Sequence, residues 1–235
     1  MDIIAFDIHG KYGHFKKPYS TASPVTFPFP PTSAVLGMLG AVCGYAKDEY
    51  HQKIGWDKVK IGIQIINPVR KIKAGLNHIN VKNNKKGWKF FCNRTHKPTN
   101  HEFLKDPGYR IYIARANPEC MTRLEESLAG EKTVFTPCLG LSECLAVIDY
   151  KGKFSGQALP PAEYPVSSIV PEIHGRLKEN NLSGKRVIRL RVPDRMNNQR
   201  EVGRYVSVMY DDNLNPLLVE TDQGVRVGEE NIIFF

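Results

Sequence analysis

Between Lys58 and His101 the sequence carries eleven basic side chains and not one acidic one: Lys58, Lys60, Arg70, Lys71, Lys73, Lys82, Lys85, Lys86, Lys89, Arg94 and Lys97. The 235-residue chain has a formal net charge of +9, and outside this stretch acidic side chains outnumber basic ones, so the whole positive excess is local. Lysine and arginine gathered in this way neutralise phosphates and release their counterions, which makes a polyanion the expected ligand. Holding one short single strand on a fixed path needs charge along the phosphates and planar side chains for splayed bases. Lys82, Lys85, Lys86, Lys89, Arg94 and Lys97 are the phosphate candidates, and Trp88 is a candidate stacking platform. Lys11, His14, Lys16 and Lys17 are candidates for lining the same groove. Thr32 and Ser33 open a helix whose free N–H groups and positive dipole end suit a phosphate.

Other chemistries find less support. Five cysteines, Cys43, Cys92, Cys120, Cys138 and Cys144, include no C-x-x-C pair, which argues for reduced, buried thiols rather than a disulfide framework or zinc ribbon. Cys92, His96 and His101 have metal-like spacing, but no second cysteine nearby completes a tetrahedral set, so no metal is expected. Neither G-x-x-x-x-G-K-[ST] nor G-x-G-x-x-G occurs, so nucleotide hydrolysis and a cofactor are not expected. The aromatic signature of an RRM sheet is also missing from Tyr109–Arg115.

The elements that must position these residues follow from periodicity. Asp2–Ile8 alternates as a strand. Lys11–Pro31, ending Pro28-Phe29-Pro30-Pro31, excludes a helix or central strand and reads as a long ordered connection. A helix is expected from an N-cap at Thr32 to about Ala46, with Gly37, Gly40 and Gly44 suggesting that another element packs close to one side. Val59–Ile66 is a strand, as is Tyr109–Arg115. Asn117-Pro118 then starts a helix closed by Gly130, and Cys144–Tyr150 is a fourth strand. Strand, helix, strand, strand, helix, strand is the split βαβ, or ferredoxin-like, arrangement of an α+β domain.

In that arrangement the basic segment lies between the second and third strands, where a hairpin loop is normally about 2–5 residues. An insertion over about 68–106 therefore reads as a protruding basic thumb, with a turn at Asn83–Gly87. The organisation expected is an RRM-like domain over 1–150 and a small β-rich carboxyl-terminal lobe over 151–235, with strands at Val187–Val192, Arg204–Tyr210, Leu217–Thr221 and Glu230–Phe235. The longest apolar stretch, Ala34–Ala46, is shorter than the roughly 20 residues that span a bilayer. The opening residues lack a basic leader, so a cytoplasmic protein with no membrane partner is expected.

Several ordered blocks carry a family resemblance. FDIHGKYGHFKK, FPFPPT running into AVLGMLGAVCG, NRTHKPTNHEFLKDPGYRIYIA and FTPCLGLSECLA, spanning Phe6–Ala146, resemble the Cas-five family of CRISPR-associated RAMP proteins, with a subtype I-B flavour. The resemblance implies a non-catalytic subunit of a type I Cascade surveillance complex in antiviral defence. Such a subunit caps the 5′ handle of the crRNA and touches the backbone subunit and the large subunit; target DNA near the protospacer-adjacent motif is a further candidate partner. One related subtype of the family cleaves repeat RNA without metal, so a processing endoribonuclease is the alternative. That chemistry needs a base for the 2′-OH, an acid for the leaving oxygen and a cation at the phosphate. His96 with Lys97, or His14 with Tyr12 and Lys11, supplies those residue types, without a complete Tyr, Lys and His triad. An RNA-binding protein outside CRISPR systems would share the basic hairpin but leave the ordered blocks unexplained.

Overall fold

A computed structural model describes residues 1–20, 23–79, 96–178, 184–196 and 201–235. The chain is mixed α/β, with many strands and few helices. It begins with β1 (Asp2–His9), short strands β2 (Tyr12–Gly13), β3 (Phe15–Lys16) and β4 (Thr26–Phe27), then α1 (Thr32–Cys43) and α2 (Tyr50–Ile54). Next come β5 (Lys60–Ile65), β6 (Arg70–Ile79), β7 (His96–Lys105), β8 (Gly108–Ala114), α3 (Pro118–Ala129) and β9 (Val147–Ser155).

The main sheet has the order β5-β8-β1-β9, with every neighbouring pair antiparallel. β1 is central and buried on both faces. Ile4, Phe6 and Ile8 join the core that includes α1 and α3 side chains, whereas Ile3 and Ala5 face the opposite way against Tyr112, Val225 and Ile232. Full burial contributes about 1.5–3 kcal/mol for a large apolar side chain, so this strand is a principal anchor of the fold.

The remaining strands are β10 (Gln157–Ala158), β11 (Ala162–Val166), β12 (Val170–Pro171), β13 (Arg176–Leu177), β14 (Val187–Met196), β15 (Val202–Asp211), β16 (Leu217–Thr221), β17 (Val225–Val227) and β18 (Glu230–Ile232). They form three small sheets that pack on the main one. Val192, Val206 and Val208 join the helix-side core, and the Phe235 amide donates to the Ile61 carbonyl at 3.0 Å.

Several local expectations change. Thr32 is the first helical residue rather than the cap: extended Pro31 precedes α1, and the Thr32 hydroxyl donates to the Asp194 carbonyl of β14. The helix stops at Cys43, because Gly44 takes a left-handed conformation with φ 72° and closes it. Of the three glycines, Gly40 has Tyr50 against it, while Gly37 faces open space. The fourth strand starts at Val147 instead of Cys144, since Cys138 and Leu145 bridge in a tight turn that consumes the preceding residues. The 11–31 connection pairs into the short strands β2, β3 and β4.

Candidate nucleic-acid interface

The basic segment leaves the main sheet at the end of β5 and returns at the start of β8. Its described arms, β6 and β7, are antiparallel in continuous register from Arg70 opposite Lys105 to Ile79 opposite His96. Alternation divides the ladder into two faces. Ile72, Ala74 and Leu76 are half-buried and pack against the main core, with Phe103 opposite Ile72. Lys71 and Lys73 project from the other side and are exposed, as are Arg70, Lys97 and Lys105. Among these, Lys71 is paired, its ammonium lying 3.1 Å from Glu102. Lys82, Lys85, Lys86, Trp88, Lys89 and Arg94, together with Cys92, lie outside the described residues.

Glu102 is a hub that sequence reasoning passed over. Its carboxylate accepts from the Thr26 amide at 3.1 Å as well as from Lys71. Its own amide donates to the Pro24 carbonyl at 2.9 Å, and its carbonyl lies 2.7 Å from His14 Nδ1. One residue of β7 thus ties the hairpin base to the 11–31 connection. Burial pushes the Glu102 carboxyl up, but the Lys71 hydrogen bond, the Thr26 amide and the charges of Lys71 and Lys17 outweigh it, and the net direction is down.

The same base gathers histidines. His78 Nε2 lies 2.9 Å from His101 Nε2, and the His14 and His101 rings are 5.7 Å apart, with Phe103 against both. Among the described residues His101 Nδ1 is buried with no hydrogen-bond partner. Burial, then the charges of His78, His14 and Lys16, push His101 below the ordinary histidine pKa. Of Cys92, His96 and His101, only the two histidines are described, and they stand apart along β7. His96 pairs with Ile79 and His101 with Ala74, and five residue steps along the strand separate the two by roughly 16 Å. Among the described residues no group of three or more His, Cys, Asp or Glu is placed to hold a metal ion.

Of the smaller group, Lys11 and Lys16 are exposed. Lys17 is half-buried, its ammonium 5.5 Å from the centre of the Phe27 ring and 5.9 Å from that of Tyr19. His14 is only 2% exposed, so its ring braces the surface from behind. The FTPCLGLSE segment does the same: the Leu139 carbonyl accepts from the His14 amide at 2.9 Å, and Gly140, at φ 95°, passes so close that a Cβ there would meet the His14 carbonyl oxygen. Ser33 is half-buried at the start of α1, beside the Thr32–Asp194 closure. His96 and Lys97 are both exposed, but as strand neighbours they point to opposite faces.

The family model for CRISPR-associated protein (Cas_Cas5) matches residues 3–201. The chain belongs to the Cas5 family of CRISPR-associated proteins. No curated protein matches it. Among solved structures, a CRISPR protein from Archaeoglobus fulgidus is similar at a TM-score of 0.57 and 15% identity, over 100% of this chain and 99% of that one. At that identity the likeness concerns the fold. A chain of a CRISPR RNA-guided surveillance complex is similar at a TM-score of 0.47 and 11% identity, over 99% of this chain and 91% of that one. In this Cas5 chain no described helix is long and apolar enough to cross a membrane.

Proposed function

We propose that this Cas5 chain is a non-catalytic subunit of a type I CRISPR effector complex that caps the 5′ handle of the guide RNA, with the basic β6–β7 hairpin as its thumb. The observation that carries this reading is the hairpin itself. A ladder of ten register pairs extends from the sheet with one face held by apolar contacts and the other carrying Lys73, which has no acidic partner among the described residues, beside Lys71, which is paired with Glu102. Such an arm suits a phosphate track: the packed face fixes its direction, and the exposed lysines supply charge without chemistry. The strand order β5-β8-β1-β9, with α1 and the short α2 in the first crossover and α3 in the second, supports a ferredoxin-like reading of the domain. The backbone and large subunits of the complex are its proposed protein partners.

The processing-nuclease reading draws less from the geometry. His14 is buried against Glu102, and His96 and Lys97 diverge from a common strand, so neither pairing supplies an accessible acid and base at one phosphate. The deciding experiment incubates 5′-labelled cognate repeat RNA with the purified chain in EDTA, resolved on a denaturing gel and in parallel on a native gel. RNA that is shifted but intact is expected. A discrete cut that is lost in His96→Ala would overturn the non-catalytic reading.

A further inference from the structure

A second cationic cleft lies at the end of the main sheet opposite the hairpin. The hairpin departs beyond Ile65 of β5 and returns before Gly108 of β8; at the other end Lys60 opens β5 and stands in register with Ala114, the last residue of β8. Lys60 and Arg115 therefore emerge on adjacent strands. The second group of strands closes over them, leaving a cleft of about 620 Å³ lined by Lys58, Lys60 and Arg115 on one side and His174, Arg195 and Arg204 on the other.

The charge in this cleft is only partly answered. Arg204 Nε donates to the Asp194 carboxylate at 2.8 Å, and Arg195 lies 3.9 Å from the same carboxylate. Asp57 adds a carboxylate to the lining. Among the described residues Lys58, Lys60 and Arg115 have no acidic partner within ion-pair distance. The Lys60 ammonium lies over the Phe234 ring at 6.0 Å, and burial together with the Arg115 charge pushes it below the ordinary lysine pKa. Arg115 also holds φ at 56°, a left-handed backbone that non-glycine residues seldom adopt. Like charges gathered without a counterion oppose folding, so the arrangement calls for an anion that bridges them.

We propose that this cleft is a second phosphodiester-binding site, which takes the backbone of a nucleic-acid strand at the far end of the sheet from the hairpin. A strand offers one negative charge per nucleotide at regular spacing, so it can meet the Lys60–Arg115 side and the Arg195 side together. The Arg115 guanidinium, with no acidic partner among the described residues, has a fork of donors that matches phosphate oxygens. An acidic protein segment fits less well, because protein partners rely on buried apolar anchors and the large apolar side chains in the lining belong to Phe234, itself 4% exposed, and Phe235. The inference is independent of the hairpin reading.

The test uses the full chain and fluorescence anisotropy across a salt series, with short single-stranded RNA, single-stranded DNA of the same sequence, duplex DNA and, as a competitor, poly-glutamate. Lys60→Gln is combined with Arg115→Asn, since asparagine tolerates the left-handed backbone. Loss of two phosphate contacts is expected to reduce the log–log salt slope by about 1.4 for a single strand or about 1.8 for duplex, and the probe showing the reduction identifies the ligand as RNA or DNA. The thermal midpoint should hold or rise once the repulsion is gone. Lys73→Gln with Lys97→Gln provides the hairpin comparison. An unchanged slope with all three nucleic acids overturns the cleft proposal even if the hairpin pair lowers it. A change confined to poly-glutamate competition also overturns it, in favour of an acidic protein partner.

Discussion

Replacing Glu102 by alanine should loosen the base of the hairpin by an amount that can be worked out contact by contact. Thr26 is fully buried, and its amide donates to the Glu102 carboxylate. Leaving that donor unpaired costs about 1–3 kcal/mol. The Lys71 pair is more exposed, with 38% of the lysine side chain accessible, so solvent screening limits it to about 0.5–1 kcal/mol. Together these predict a loss of about 1.5–4 kcal/mol, or a fall in Tm of about 3–16 °C for a chain of this length. Glu102→Gln keeps an oxygen for Thr26 and loses only the charge facing Lys71, so it should cost less than about 1 kcal/mol.

The main-chain bonds of Glu102 to Pro24 and His14 survive in both variants, so the difference between them isolates the carboxylate. The assay is urea unfolding near neutral pH, with thermal midpoints in parallel. Because the folded carboxyl titrates below its unfolded value, its contribution is present above the ordinary glutamate pKa and is lost as pH falls through the depressed one. Equal losses for alanine and glutamine, or an alanine cost under about 0.5 kcal/mol, would refute the hub.

Two further outcomes follow from the same region. His101 is held below the ordinary histidine pKa by burial and its basic neighbours, so the unfolded chain takes up a proton first and stability falls as pH drops below about 6.5, by at most about 1.4 kcal/mol per pH unit for one proton. Urea midpoints measured between about pH 7 and about pH 5 should vary less in His101→Gln than in the parent, and equal slopes would refute the assignment. Changing Lys85, Lys86 and Lys89 together to alanine should reduce the salt slope for single-stranded RNA by about 2, and an unchanged slope would remove these residues from the phosphate track.

Local pattern was a good guide to the elements. Alternation in Asp2–Ile8 and the Asn117-Pro118 start of α3 are each properties of neighbours in sequence, and each appears where expected. Boundaries that depended on distant partners moved. Thr32 reads as a cap by type, yet its hydroxyl is taken by Asp194, 162 residues away; Cys144 looks like the start of a strand, yet it belongs to a turn closed by Cys138 and Leu145.

The candidate surface divides in the same way. Counting charges along the chain finds the hairpin because its lysines are contiguous, and the count ends there, since the rest of the chain is slightly acidic. The second cationic cleft is only half visible to that count: Lys58 and Lys60 fall within the basic run, but Arg115, Arg195 and Arg204 are diluted among acidic neighbours and meet them only where β8 ends and β14 and β15 close over it. Likewise Glu102, His14 and His101 are ordinary residues until strand pairing sets them against Thr26 and His78. Sequence alone determined which segments become strands and helices and where charge is dense, because hydrophobic period and composition act over a few residues. Tertiary structure decided which side chains are spent in buried contacts and which remain as a site, because those outcomes depend on pairing across tens to more than a hundred residues.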